Sequence, residues 1–121
     1  MKNFGNFHAD IEQELKTRGF HVLDQTRALI PGNYPNPFPQ YPELPDIELG
    51  SSYVIRLFVR LILQGTERID SGLIDVRIGE KCDNLYTGRI ETTLPADFPL
   101  HEGDQLTLKF EQILYRQTLR N

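Results

Sequence analysis

The sequence predicts a mainly β fold of the α+β class, with one N-terminal helix and a curled antiparallel sheet. Apolar and polar residues alternate through most of residues 52–116, which is the pattern of half-buried strands. A helical period occurs only near the N-terminus, and turn-forming residues separate the alternating stretches. We therefore expect residues 1–121 to form a single domain, whose sheet closes as a small barrel or packs as a sandwich.

The N-terminal helix is predicted over residues 9–18. Phe7, Ile11 and Leu15 recur at every fourth position and make an apolar stripe, while charged residues cover the opposite side. Gly19 suits the left-handed position at which many helices end.

Residues 31–50 are predicted to form an extended, proline-rich arm. Six of the eight prolines of the chain fall in this segment, and proline disfavours both a helix and an inner strand. Its aromatic residues provide apolar contacts, so we expect the arm to lie on the domain or to reach a second subunit. The arm supplies the candidate interaction residues, which are Tyr34, Phe38, Tyr41, Glu43 and Asp46.

The remaining elements follow from alternation and from turn residues. The expected strands lie at 20–23, 26–30, 53–64, 72–79, 85–94 and 105–116. Residues 65–71 are expected to be a polar connection and residues 80–84 a tight turn. In the last strand the apolar parity changes between Phe110 and Ile113, which indicates a bulge or a change of covering layer.

Composition and charge narrow the class of protein. The formal net charge is −4, whereas domains that bind duplex nucleic acid usually carry a positive excess, so nucleic acid is a disfavoured partner. Only one cysteine is present, which fits a reducing compartment. The first residues lack the apolar segment of a signal peptide, and the longest apolar stretch, residues 53–63, is too short to span a bilayer. We expect a cytoplasmic protein without membrane association.

The candidate catalytic and metal-binding residues are few. Cys82 would need a histidine base, and His101 from another loop could approach it, but an incidental exposed thiol is the favoured interpretation. The three histidines lack metal-ligand spacing, and no phosphate-binding loop or hydrolase motif is present. The sequence therefore favours a protein that is not an enzyme, and we expect no metal and no cofactor.

Basic residues on the predicted strands raise the question of a binding stripe. They are Arg56, Arg60, Arg77, Arg89 and Lys109. Together with aromatic neighbours, such a stripe would suit single-stranded nucleic acid. Asp75, Glu91 and Glu111 share the same outward parity, so a solvated, salt-bridged sheet face is the favoured interpretation.

Residues 72–115 resemble a group of uncharacterised small bacterial β-domains, some of which are toxin-immunity proteins. The residues that carry the resemblance are a strand, then Tyr86 to Ile90, a proline-containing loop, Glu102 to Asp104, and a last strand over 106–113. The resemblance implies a small curved sheet and a binding role, and it assigns no active residue.

Three functional hypotheses remain open at this stage. The leading one is a non-catalytic protein-interaction module that self-associates through the arm or through an exposed sheet edge. The first alternative is a toxin-immunity-type inhibitor that uses acidic residues of the arm and loops. The second is a small-ligand binder or enzyme with a pocket in the curled sheet, with Tyr86, Arg89 or His101 at its mouth.

Overall fold

Residues 7–24 and 46–117 are the part of the chain that the computed structural model describes. They form a helix, α1 (Ala9–Thr17), and an antiparallel sheet of six strands. The strands are β1 (Phe20–Val22), β2 (Ser51–Leu63), β3 (Thr66–Cys82), β4 (Leu85–Ile90), β5 (Gln105–Lys109) and β6 (Tyr115–Arg116). The predicted α+β class, mainly β, is confirmed.

The strand order and the last connection give the sheet its curl. The strands are ordered β1-β2-β3-β4-β5, and β6 pairs with β2 on the side that also carries β1. A 3-10 helix (Phe110–Gln112) leads from β5 towards β6, and the side chain of Gln112 donates a hydrogen bond to the carbonyl of Val22, 3.2 Å away. The two ends of the sheet are thereby drawn together, and the sheet forms a half-barrel.

The main core fills the concave face of the half-barrel. Alternate residues of the long strands point into it, as the period of two predicts. Its fully buried members include Tyr53, Ile55, Leu57, Val76, Ile78, Ile90, Leu108 and Ile113. The alternation that was read from the sequence therefore identified this face correctly.

Helix α1 covers part of the convex face. Ile11 and Leu15 are buried against Leu23, and Phe58 of β2 packs beside them with its ring 5.3 Å from that of Phe7. The helix thus explains why the convex face of β2 carries the apolar Phe58 beside charged residues. The helix ends at Thr17, one residue earlier than predicted.

The β2–β3 hairpin differs from the prediction. Gln64 and Gly65, both with positive φ, make a two-residue turn, and β3 starts at Thr66. Residues 65–71, expected as a polar connection, therefore belong mostly to a strand. The prediction was wrong because this end of the hairpin projects beyond the core, where charged side chains are compatible with a strand.

The later elements also differ in their bounds. Strand β3 continues to Cys82, so the turn predicted over 80–84 is reduced to two residues, Asp83 and Asn84. Strand β4 ends at Ile90, four residues earlier than expected. The parity change near Phe110 is caused by the 3-10 helix. Before this helix the chain pairs with β4, and after it the chain pairs with β2.

The remaining expectations lie partly outside the described residues. The strand predicted at 26–30 and the arm up to residue 45 fall there. Within residues 7–24 and 46–117, no helix has the length and apolar character needed to cross a membrane.

Two glycine substitutions test how the end of α1 is packed. Gly19 and Gly50 both have positive φ, but a Cβ on Gly19 would lie 2.7 Å from Pro99 Cβ, whereas a Cβ on Gly50 would meet nothing within 4 Å. We expect Gly50→Ala to cost about 1–2 kcal/mol of backbone strain. Gly19→Ala should cost about 1–3 kcal/mol more, because it also overpacks the site. Urea unfolding measures both, and equal costs would contradict the contact with Pro99.

Candidate functional site: a free strand edge and its groove

Strand β3 extends well beyond the strand that pairs with it on its outer side. Strand β4 pairs with β3 from Val76 to Cys82. One residue further, Glu91 donates its N–H to the carbonyl of Asp75 at 2.8 Å, and the N–H of Asp75 binds Thr92 Oγ1 at 2.8 Å. Before Asp75, residues 66–74 pair with β2 on one side, and no strand of the described chain pairs with their other side.

The register shows which backbone groups are left without a strand partner. The backbone N–H and C=O of Arg56 and Arg60 point away from β3. Leu23 donates its N–H to the Arg56 carbonyl, and Arg60 donates its N–H to the Gly19 carbonyl. Their partners on β3, Leu73 and Ile69, must therefore point their N–H and C=O away from β2. The same parity applies to Glu67 and Ser71. We call the outward side of Glu67, Ile69, Ser71 and Leu73 the free edge.

The side chains along the free edge alternate between the two faces of the sheet. Leu73 is 42% exposed on the convex face, where Ile69 packs at the margin of the helix cluster. Asp70 and Gly72 have the parity of the concave face. Helix α1 has its main contacts with β1 and β2, and Ile69 is a residue of the free edge that packs against its cluster.

A groove lies beside the free edge on the concave side. It has a volume of about 310 Å³ and is lined by β3 residues 70–74. Leu57 and Val59 of β2 form part of its wall, and Leu94 and Phe98 approach from the loop that follows β4. The groove is mainly apolar, and the carboxylate of Asp70 stands in its lining.

Charges of both signs line the outer end of the hairpin. Arg68 Nη2 lies 3.0 Å from Asp70 Oδ2, and Arg60 forms an ion pair with Glu67 across the β2–β3 pair. The side chains of Arg68 and Asp70 are 57% and 38% exposed. Such an exposed pair contributes little to stability, so both groups are available to a partner at small cost.

The structure describes one of the five predicted interaction residues. Asp46 is exposed at the start of the stretch that leads into β2. Directly after it, Ile47 packs on the core and the N–H of Glu48 donates to the hydroxyl of Tyr53 at 2.8 Å. Tyr34, Phe38, Tyr41 and Glu43 lie outside the described residues, and their assignment stays a prediction.

The residues considered for catalysis or ligand binding do not share one site. Cys82 is exposed at the end of β3. Tyr86 points into the concave core, whereas Arg89, three residues later, is exposed on the convex face. His101 lies in the loop before β5 with its Nε2 3.2 Å from the carbonyl of Ala96. Among the described residues there is no group of three potential metal ligands.

Two of the five basic residues considered for a stripe form ion pairs with acids. Arg77 Nε lies 2.7 Å from Glu91 Oε2, and Arg60 is paired with Glu67. Asp75 accepts a hydrogen bond from the side chain of Gln117 at 2.8 Å. This arrangement agrees with a salt-bridged sheet face and not with a continuous basic stripe.

Comparison with known proteins adds no relative. No family model, no curated protein and no solved structure matches the chain.

Sequence reasoning misses the free edge because the predicted strand begins only at residue 72. Alternation gives no signal for an earlier start, since Ile69 and Leu73 are apolar at the parity where Asp75 and Arg77 are polar.

Adjacent proline substitutions test the orientation of the free edge. The N–H of Ser71 points outward, so Ser71→Pro removes no hydrogen bond of the sheet and should change the free energy of unfolding by less than about 1 kcal/mol. The N–H of Gly72 faces Leu57 of β2, so Gly72→Pro should cost about 3 kcal/mol or more. Urea unfolding of dilute protein compares the two. Similar losses for both variants would contradict the assigned register.

Proposed function

We propose that this protein is a non-catalytic protein-interaction module that binds an extended protein segment by strand addition at the free edge. The observation that carries the proposal is the row of outward N–H and C=O groups at Glu67, Ile69, Ser71 and Leu73. An added strand would hydrogen-bond to these groups as β2 does on the other side.

The groove supports the proposal because strand addition needs side-chain contacts for specificity. Each backbone hydrogen bond contributes only about 0.5–1.5 kcal/mol net, since the free groups are already solvated. Alternate side chains of an added strand would face the concave side, where Leu57, Val59 and Phe98 line the groove. The partner segment is therefore extended, and its groove-facing side chains contact both the apolar wall and the carboxylate of Asp70.

The other hypotheses stay predictions from the sequence. The toxin-immunity reading depends on acidic residues of the arm, of which only Asp46 is described. The ligand-binding reading names Tyr86 and Arg89, which point to opposite faces of β4. The exposed Leu73 and the adjoining groove favour strand addition over these alternatives. We place the module in the cytoplasm, as its single cysteine suggests, and cell fractionation tests that placement.

Selection of peptides from a random display library tests strand addition. Peptides selected on the wild-type protein should bind Ser71→Pro at least about tenfold more weakly, because proline removes an edge donor and its ring obstructs the incoming strand. The matched control is Ser71→Ala, which retains the N–H and should bind as the wild type does. Fluorescence anisotropy with the labelled peptides measures the affinities.

Two outcomes count against the proposal. If the selected peptides bind Ser71→Pro and wild type equally, the free edge is not the binding surface. If the library yields no peptide above background, an extended segment is not what the protein recognises.

A further inference from the structure

We propose that the segment bound at the free edge is β3 of a second copy of this chain. The two strands pair antiparallel across a two-fold axis that passes through Ile69. This inference rests on the proposed function, because it names the partner of the same edge. It assigns the self-association expected from the sequence to a particular surface and register.

Parity limits the possible symmetric registers. Two copies of β3 can exchange hydrogen bonds only if outward-pointing residues face outward-pointing residues, that is, odd positions opposite odd positions. For the contact between the two strands to be centred on the free edge, the two-fold axis must pass through Ile69, Asp70 or Ser71. These three registers place different side chains opposite one another.

Charge and space distinguish the three registers. An axis through Asp70 sets two carboxylates directly opposite, which is destabilising. An axis through Ser71 sets Glu67 opposite Asp75, whose outward groups already bind Glu91 and Thr92. Only the axis through Ile69 avoids both conflicts.

The register centred on Ile69 brings complementary groups together. Arg68 of each copy lies opposite Asp70 of the other, so the exposed ion pair within one chain is replaced by two pairs between chains. On the convex face, the two Ile69 side chains meet at the axis. Leu73 lies opposite Gly65 of the other copy, which has no side chain to obstruct it.

The assembly that results is closed. Each copy uses its own free edge on the free edge of the other, so the pair leaves no equivalent edge for a third copy. Helix α1 has its main contacts with β1 and β2, and Ile69 at the axis packs at the margin of its cluster. We therefore expect a dimer with one continuous sheet through both protomers.

A charge-exchange experiment tests this register. Asp70→Arg places arginine opposite arginine in a homodimer, and Arg68→Asp places aspartate opposite aspartate. Each variant alone should dimerise at least about tenfold more weakly than wild type. An equimolar mixture restores both opposite-charge pairs, so it should form a heterodimer of about wild-type affinity. Sedimentation velocity over a concentration series measures all four samples.

Arg89→Asp is the matched control for Arg68→Asp, because it makes the same change of charge at an exposed position on β4, away from the free edge. It should dimerise as the wild type does. Circular dichroism and urea unfolding confirm that the variants are folded, which is expected because the side chains of Arg68 and Asp70 are exposed.

The outcomes separate this inference from the proposed function. A wild-type protein that is monomeric at millimolar concentration rejects the second copy as partner, whereas peptide selection still decides strand addition by itself. If the wild type dimerises but the mixed variants do not recover affinity, the register centred on Ile69 is wrong. If Ser71→Pro also leaves the dimer intact, the copies meet on another surface.

Discussion

The pairing of β2 with β3 is the interaction on which the rest of this structure depends. Strand β2 pairs with β3 along its whole length and carries β1 and β6 on its other side. A slip of one residue would move Ile55 and Leu57 from the concave core to the convex face. The turn at Gln64 and Gly65 fixes the register, since positive φ at both positions suits the twist of a two-residue hairpin.

The same period of two explains where sequence reasoning succeeded and where it failed. Ile74, Val76 and Ile78 belong to the concave core, so apolar and polar residues alternate there and the sequence predicts the strand. Before Ile74 the strand extends beyond the core, and its charged side chains are solvated, so their order in the sequence shows no burial pattern. The change of parity before Ile113 marks a real discontinuity in the last strand. The sequence does not show that the segment after it, β6, pairs with β2, because strand order depends on contacts distant in sequence.

The candidate site was harder to predict than the fold for a related reason. The proline-rich arm stands out by composition and therefore supplies the candidate residues that sequence predicts, of which the structure describes only Asp46. A free edge has no composition of its own. It arises because β3 has 17 residues and β4 has 6, and the difference in length becomes visible only once the two strands are paired.

An unpaired edge is a hazard to a β-protein, since it can template aggregation. Proteins commonly blunt such edges with proline, charged side chains or a bulge. In β3 the register shift lies between Ile78 and Glu80, within the part paired with β4. The free edge has a different character: Arg68 and Asp70 carry opposite charges two residues apart, beside an exposed Leu73. Alternating charge does not prevent pairing, but it penalises every register in which like charges meet. Under the proposed strand addition, an edge built in this way disfavours strands that bring like charges together and accepts a strand of matching charge.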